Sequence, residues 1–229
     1  TEEFFIPYRP NMNIISALIE IQRHPVNANG EKVIPVNWES SCLEEVCGAC
    51  SMVINGKPRQ ACSSLIDLLD QPIRIAPLST FPVIRDLKVD RSRMFDALKR
   101  VKAWIPIDGT YDLGPGPRMP EKTRQWAYEL SKCMTCGCCL EACPNVNSSS
   151  TFIGPAPISQ VSLFNSHPTG KMNKEERLAG IMGEGGITSC GSSQNCVQVC
   201  PKGIPLTTSI AHLNRQTTVQ SFKNFFGSF

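Results

Sequence analysis

Residues 131–145 read SKCMTCGCCLEACPN and crowd Cys133, Cys136, Cys138, Cys139 and Cys143 into one short segment. Two further groups accompany it: Cys42, Cys47, Cys50 and Cys62 in SCLEEVCGACSMVINGKPRQAC, and Cys190, Cys196 and Cys200 in TSCGSSQNCVQVCPKGIP. Core packing does not call for cysteine at this density, whereas thiolate chemistry does. The chain of 229 residues holds 12 cysteines, and its first residues, TEEFFIPYRP, carry acids where an export signal carries basic residues before an apolar run. In a reducing compartment, clustered cysteines point to metal binding. Cysteines two residues apart make poor structural staples, which disfavours a disulfide framework.

The spacings separate the metals. Cys42, Cys47, Cys50 and Cys62 follow C-x4-C-x2-C with a distant fourth cysteine, the plant-type [2Fe–2S] pattern. Two irons take two thiolates each, so one loop wraps the cluster and a residue beyond the next strand closes it. Gly48 and Ala49 are small enough for the backbone to approach and offer N–H groups to sulfur. A zinc site is the rival, and it does not need the wrapping loop.

Cys133, Cys136, Cys139 and Cys143 form C-x2-C-x2-C-x3-C-P, a run whose fourth cysteine ligates the other cluster of a pair. The third group echoes it, ending in Cys200-Pro201, but Ser193 stands where one cysteine is due. Crossing the fourth cysteines gives Cys133, Cys136, Cys139 and Cys200 to a [4Fe–4S] cluster. Cys143, Cys190 and Cys196 remain, three ligands that suit a [3Fe–4S] cluster. A four-iron cluster completed by the Ser193 oxygen is the weaker alternative. These sets use every cysteine except Cys138, which reads as a small buried residue beside a cluster.

Three clusters of different type make an electron wire, since cluster type, hydrogen bonding and burial set the potential of each. No flavin, haem or substrate motif accompanies them, so the chemistry at both ends belongs to other subunits. A free ferredoxin-like shuttle is the rival within redox proteins. A nucleic-acid module is disfavoured by the net charge of +3 and by the lack of a basic stripe.

The elements that must position these cysteines are partly legible. FFIPYR (4–9), VIPVNW (33–38), SMVING (51–56) and IRIAPL (73–78) read as strands, with Asn55-Gly56 as a hairpin turn. Ile14, Ala17, Leu18 and Ile21 mark one face of a helix stopped by Pro25. Leu65–Leu69 reads as a short turn or helical piece. From Asp90 a helix carries Met94, Leu98 and Val101 on one face. WIPIDGTYDLGPGPRMP then reads as an extended linker, and Pro120 opens another helix at its first position. Shorter helices are expected at 158–165, 174–182 and 204–215, the last capped by Thr207 or Thr208. No apolar run approaches the roughly 18 residues a membrane helix needs.

In its three cysteine groups, in order and over nearly the whole chain, the sequence resembles the iron–sulfur subunits of succinate dehydrogenase and fumarate reductase. FPVIRDLKVD (81–90) is similar to the family's segment between its two domains. The resemblance implies an α+β chain. Residues 1–95 would form a β-grasp [2Fe–2S] ferredoxin-like domain facing a FAD-containing flavoprotein subunit. Residues 96–229 would form an α-helical two-cluster domain facing a membrane cytochrome b anchor with haem b. Electrons would pass from succinate through FAD, [2Fe–2S], [4Fe–4S] and [3Fe–4S] to quinone, or in reverse for fumarate reduction. The family's ligand assignment matches the sets above, and places the subunit peripherally on the cytoplasmic face of the bacterial plasma membrane.

The sequence departs from ubiquinone-reducing members. Asn145, Val146 and Asn147 follow Cys143-Pro144 where those carry tryptophan, and Gly191 stands where a histidine is common. It resembles instead the menaquinone-linked members with a dihaem anchor. It also lacks an initiator methionine and the strand that precedes FFIPYR in the family, which implies a missing natural N-terminus.

His24, His167 and His212 are scattered and read as structural or surface residues. Lys202 follows Cys200-Pro201 and is a candidate for charge tuning or a solvated side chain. KRVK (99–102) and RSR (91–93) read as solvated helix faces. Phe222, Phe225, Phe226 and Phe229 form an apolar stripe suited equally to the chain's own core and to a partner.

Overall fold

A computed structural model describes residues 1–106 and 118–227. The expected linker lies largely outside the described residues, as does Phe229. The chain divides into two compact units. One is Thr1–Arg91 with Met134–Cys138, and the other is Ser92–Cys133 with Cys139–Phe229.

The first unit is α+β. Helix α1 (Ile14–Arg23) buries Ile14, Ile15, Ala17, Leu18 and Ile21, the face its periodicity marks. Asn13 caps it by accepting from Ser16 N at 2.9 Å, and its Nδ2 donates to the Cys62 carbonyl at 2.8 Å. One side chain thus fixes both the helix start and a cysteine. The sheet runs β2-β1-β3 (β1 Ser51–Ile54, β2 Lys57–Gln60, β3 Ile75–Ala76), with both pairings antiparallel. Asn55 and Gly56 turn the β1–β2 hairpin with φ of 48° and 76°, the left-handed pair that a two-residue hairpin requires. Met52, Ile54, Ala61, Cys50 and Cys62 pack against α1.

Two expected strands do not form. Residues 4–9 and 33–38 make no ladder, although Phe4, Ile6, Val36 and Trp38 pack on the same core. Pro7, Pro10 and Pro35 remove backbone donors from these stretches, so the apolar residues are buried without strand pairing. Pro77 likewise limits the third strand to Ile75–Ala76. The chain then folds a hairpin of β4 (Val83–Arg85) and β5 (Lys88–Val89).

The second unit is helical: α2 (Ser92–Arg100), α3 (Glu121–Ser131), α4 (Cys138–Glu141, whose first residue falls in the first unit), α5 (Pro155–Ser166), α6 (Lys174–Met182), α7 (Asn195–Gln198) and α8 (Leu206–Phe226). Helix α5 packs against α2, α3, α6 and α8. It is buried along most of its first turns, which is why no amphipathic stripe announced its full length. Pro120 takes the N-cap of α3 and not its first turn, and α8 starts before Thr207 with no side-chain cap. Arg177 is fully buried and donates to the carbonyls of Lys102 (3.0 Å), Trp104 (2.7 Å) and Gly170 and to Asn165 Oδ1 (3.2 Å).

The basic pieces are not merely solvated. Arg93 donates to the carbonyls of Asn147, Ser150 and Phe152, and Arg100 to those of Gly180 and Glu184. Guanidinium forks satisfy carbonyls that the short loops leave without helix or sheet partners.

Candidate metal centres

The first cysteine loop is built around inward-pointing N–H groups. Leu43, Glu45 and Gly48 have positive φ of 61°, 55° and 72°. Backbone alternating with the left-handed region turns successive N–H groups toward one concavity, an anion-binding nest. Cys42 Sγ accepts from the N–H groups of Glu44 (3.4 Å), Val46 (3.3 Å) and Cys47 (3.3 Å). Cys47 Sγ accepts from those of Cys42 (3.5 Å) and Ala49 (3.4 Å). The N–H groups of Glu44, Val46 and Cys47 bring the Cys42 thiol down to about 7.

Cys50, at the head of β1, and Cys62, just past β2, are buried. Burial pushes the Cys50 thiol up to about 11, and the hydrogen bond and charge of Cys62 add to the rise. The four thiols therefore stand as two pairs, Cys42 with Cys47 and Cys50 with Cys62. Two irons with two thiolates each need that arrangement.

Gly48 has a reason to be glycine beyond its nest geometry. A Cβ there would stand 2.8 Å from both Cys136 Cα and the Met134 carbonyl oxygen. Arg91 secures the same stretch, donating to the carbonyls of Gly48 (2.6 Å) and Ala49 (2.7 Å).

Cys136 lies in the first unit, within Met134–Cys138, while Cys133, Cys139 and Cys200 belong to the second. A hydrogen bond from the Cys138 side chain, with Arg91 also contributing, brings the Cys136 thiol down to about 7 against the effect of burial. Cys200 Sγ accepts from Ile204 N at 3.4 Å.

Cys143, Cys190 and Cys196 come together in the second unit. Burial raises the Cys143 thiol, and Cys190 raises it further by its charge. Burial pushes Cys196 up to about 11, with Cys143 and Cys190 adding to the rise. Two asparagines tie the three loops. Asn145 Nδ2 donates to the Ser189 carbonyl at 2.6 Å, and Asn195 Nδ2 to the Ala142 carbonyl at 3.0 Å. Ser192 and Gln194 flank Ser193 with φ of 55° and 63°, and all three are exposed.

Among the described residues no three Cys, His, Asp or Glu side chains close on a single ion. An iron–sulfur cluster does not ask that of its ligands, because its thiolates divide among several irons. The donor set fits: thiols in pairs or threes, with backbone N–H groups aimed at sulfur. None of the histidines serves here. His167 Nδ1 accepts from the N–H groups of Thr169 and Gly170, and His212 stacks edge-on against Trp126.

Sequence reasoning missed Gln60, Arg91, Asn145 and Asn195 as supports. None of them left a local pattern that names its partner.

Comparison with known proteins agrees with this geometry. A family model described as a 2Fe-2S iron-sulfur cluster binding domain matches residues 1–96, and one described as a 4Fe-4S dicluster domain matches residues 129–204. The succinate dehydrogenase iron-sulfur subunit of Bacillus subtilis (strain 168) is 77% identical over 227 residues, covering 99% of this chain and 90% of that protein. The fumarate reductase iron-sulfur subunit of Wolinella succinogenes is 32% identical over 219 residues, covering 94% of this chain and 88% of that protein. In structure, the chain resembles one from the Mycobacterium smegmatis Sdh1 complex in the apo form, with a TM-score of 0.77 and 24% identity, over 94% of this chain and 88% of that one. The last likeness bears on fold alone and agrees with an α+β chain, a β-grasp ferredoxin-like domain followed by a helical two-cluster one.

Proposed function

The chain belongs to the family of succinate dehydrogenase and fumarate reductase iron–sulfur subunits, and from that premise we propose how its cysteines divide the work of an electron-transfer subunit. It is an oxidoreductase component with [2Fe–2S] and [4Fe–4S] binding domains. The succinate-oxidising role has the stronger support, at 77% identity against 32% for the fumarate reductase relative.

In this reading Cys42, Cys47, Cys50 and Cys62 hold a [2Fe–2S] cluster, Cys133, Cys136, Cys139 and Cys200 a [4Fe–4S] cluster, and Cys143, Cys190 and Cys196 a [3Fe–4S] cluster. Residues 1–95 carry the first and residues 96–229 the other two. The change of compact unit at Arg91–Ser92 falls near that division, with Met134–Cys138, and so Cys136, grouped with the first unit. The observation that carries the reading is the nest around Cys42 and Cys47 beside the buried pair Cys50 and Cys62. When bound, the clusters supply one-electron redox chemistry at potentials set by their type and surroundings. The chain's own residues hold the thiols, aim N–H groups at them, and exclude water from Cys50, Cys62, Cys139 and Cys196, which are buried.

The chain has no substrate site of its own in this reading. Its partners are a FAD-containing flavoprotein subunit and a membrane cytochrome b anchor with haem b, with menaquinone nearby, at the cytoplasmic face of the bacterial plasma membrane. Among the described residues no helix is long and apolar enough to cross a membrane. The test is EPR of the complex purified anaerobically and then mildly oxidised. Oxidised [2Fe–2S] and ordinary [4Fe–4S] centres are silent, whereas a [3Fe–4S] centre has an odd electron count. A signal of about one spin per chain supports the three-cysteine set. A silent spectrum with full iron content replaces it with a four-iron centre completed by Ser193 or another ligand.

A further inference from the structure

Gln60 and Cys138 are fully buried residues of the cysteine-rich region with polar or nucleophilic side chains whose role the ligand sets leave open. Both are 0% exposed. Gln60 Nε2 donates to Cys138 Sγ at 3.4 Å and to Ser51 Oγ at 2.8 Å. Its Oε1 accepts from Cys50 Sγ at 3.6 Å. Cys138 in turn donates to the Cys136 thiol. The result is a continuous chain of contacts, Cys50 to Gln60 to Cys138 to Cys136, inside one compact unit.

We propose that Gln60 and Cys138 form the bridge through which an electron crosses between the centre held by Cys50 and the centre held by Cys136. The inference rests on the ligand sets proposed above and adds a route between them.

Three features of the chain fit the role. First, it joins one thiol from each set. Electronic coupling falls off less steeply along bonds and hydrogen bonds than across empty gaps. Second, a fully buried amide needs partners for both its donors and its acceptor, and Gln60 finds all of them in this region. A buried Leu or Met at the same strand position would pack without that demand. Third, two of its three links keep their protons when iron binding deprotonates Cys50 and Cys136: the Gln60 N–H still donates to Cys138 Sγ and the Cys138 S–H to the Cys136 sulfur, while Cys50 Sγ stays in contact with the Gln60 amide. One electron leaves the first centre and one enters the second, no bond is made or broken, and no proton is transferred.

A second approach joins the same two loops, Gly48 against the backbone at Cys136. It has no hydrogen bond across it and is the competing path.

The experiment uses the assembled complex carrying Gln60→Leu, Cys138→Ala or Cys138→Ser, with iron and sulfide content and the EPR signatures of the reduced centres measured first. A centre absent from the parent complex overturns the ligand reading itself, independently of the bridge. With the centres in place, the first is photoreduced by a flash-excited ruthenium complex, and freeze-quench EPR follows reduction of the second. Gln60→Leu and Cys138→Ala are expected to slow this transfer several-fold at unchanged midpoint potentials. Cys138→Ser keeps a donor and an acceptor and is expected to retain most of the parent rate. Cys138→Ala tests the bridge independently if Gln60→Leu does not assemble. Unchanged rates in Cys138→Ala would overturn the proposal in favour of the Gly48 contact. A slowing accounted for by a shifted potential would also overturn it, leaving Gln60 a tuning residue.

Discussion

Asn145 and Gly191 share one space: a Cβ on Gly191 would stand 3.0 Å from Asn145 Nδ2 and 3.2 Å from its Oδ1. The same Nδ2 donates to the Ser189 carbonyl at 2.6 Å. The bond links the loop after Cys143 to the loop entering Cys190. It also holds the Asn145 amide against Gly191.

The coupling is measurable. Asn145→Ala removes one hydrogen bond and is expected to cost about 1 kcal/mol. Gly191→Ala pushes Asn145 off the carbonyl and is expected to cost a similar amount. Because both changes break the same contact, the double variant is expected to cost less than the sum by about 0.5 kcal/mol or more. Thermal unfolding of the four proteins measures it, and strictly additive losses would refute a shared contact.

Gly48→Ala meets two penalties. Its φ of +72° disfavours any Cβ, and the Cβ would press on Cys136 Cα and the Met134 carbonyl oxygen at 2.8 Å. Left-handed backbone and overpacking together are expected to cost roughly 2–4 kcal/mol. Visible circular dichroism should show loss of the [2Fe–2S] signal before the helical far-ultraviolet signal changes. Retention of both at parent stability would contradict the close approach.

Proton linkage at Cys42 has a defined sign. Folding lowers this thiol from 9.0 to about 7, so the folded chain favours the thiolate. The stabilisation is complete above the ordinary thiol value and is lost as pH falls through about 7. Cys50, pushed up to about 11 by burial, behaves in the opposite sense. In the metal-free chain, alkylation followed residue by residue is expected to show Cys42 reacting near neutral pH while Cys50 stays inert. Equal pH profiles for the two thiols would count against the nest.

The stripe at the end of α8 faces solvent. Phe222, Phe225 and Phe226 are 60%, 65% and 68% exposed, so the chain's own core does not use them. Deleting residues 222–229 is expected to weaken assembly with partner subunits while leaving cluster content intact. Co-purification yield alongside iron and sulfide analysis separates the two effects. Normal assembly of the truncated subunit would remove the case for docking.

Much of the chain was legible because its signals are local. Cysteine spacing within a loop, the apolar face of α1 and the Asn55-Gly56 turn each depend on residues a few positions apart. Strands at 4–9 and 33–38 were misread because apolar alternation reports burial, and proline denied these stretches the ladder. The arginines at 91, 93 and 100 read as solvated because no sequence pattern names a carbonyl acceptor far along the chain.

The sequence by itself determined how the thiols cluster along the chain, in groups of four, five and three, and the spacing each group carries. Only the tertiary structure decided that Gln60 meets Cys138 across 78 positions, that Gly48 must lack a side chain because Cys136 passes it, and that Asn145 guards Gly191. Spacing of this kind is local, set by residues a few positions apart in one loop. Contacts between loops depend on how a packed core brings distant segments together, and no local pattern encodes that distance.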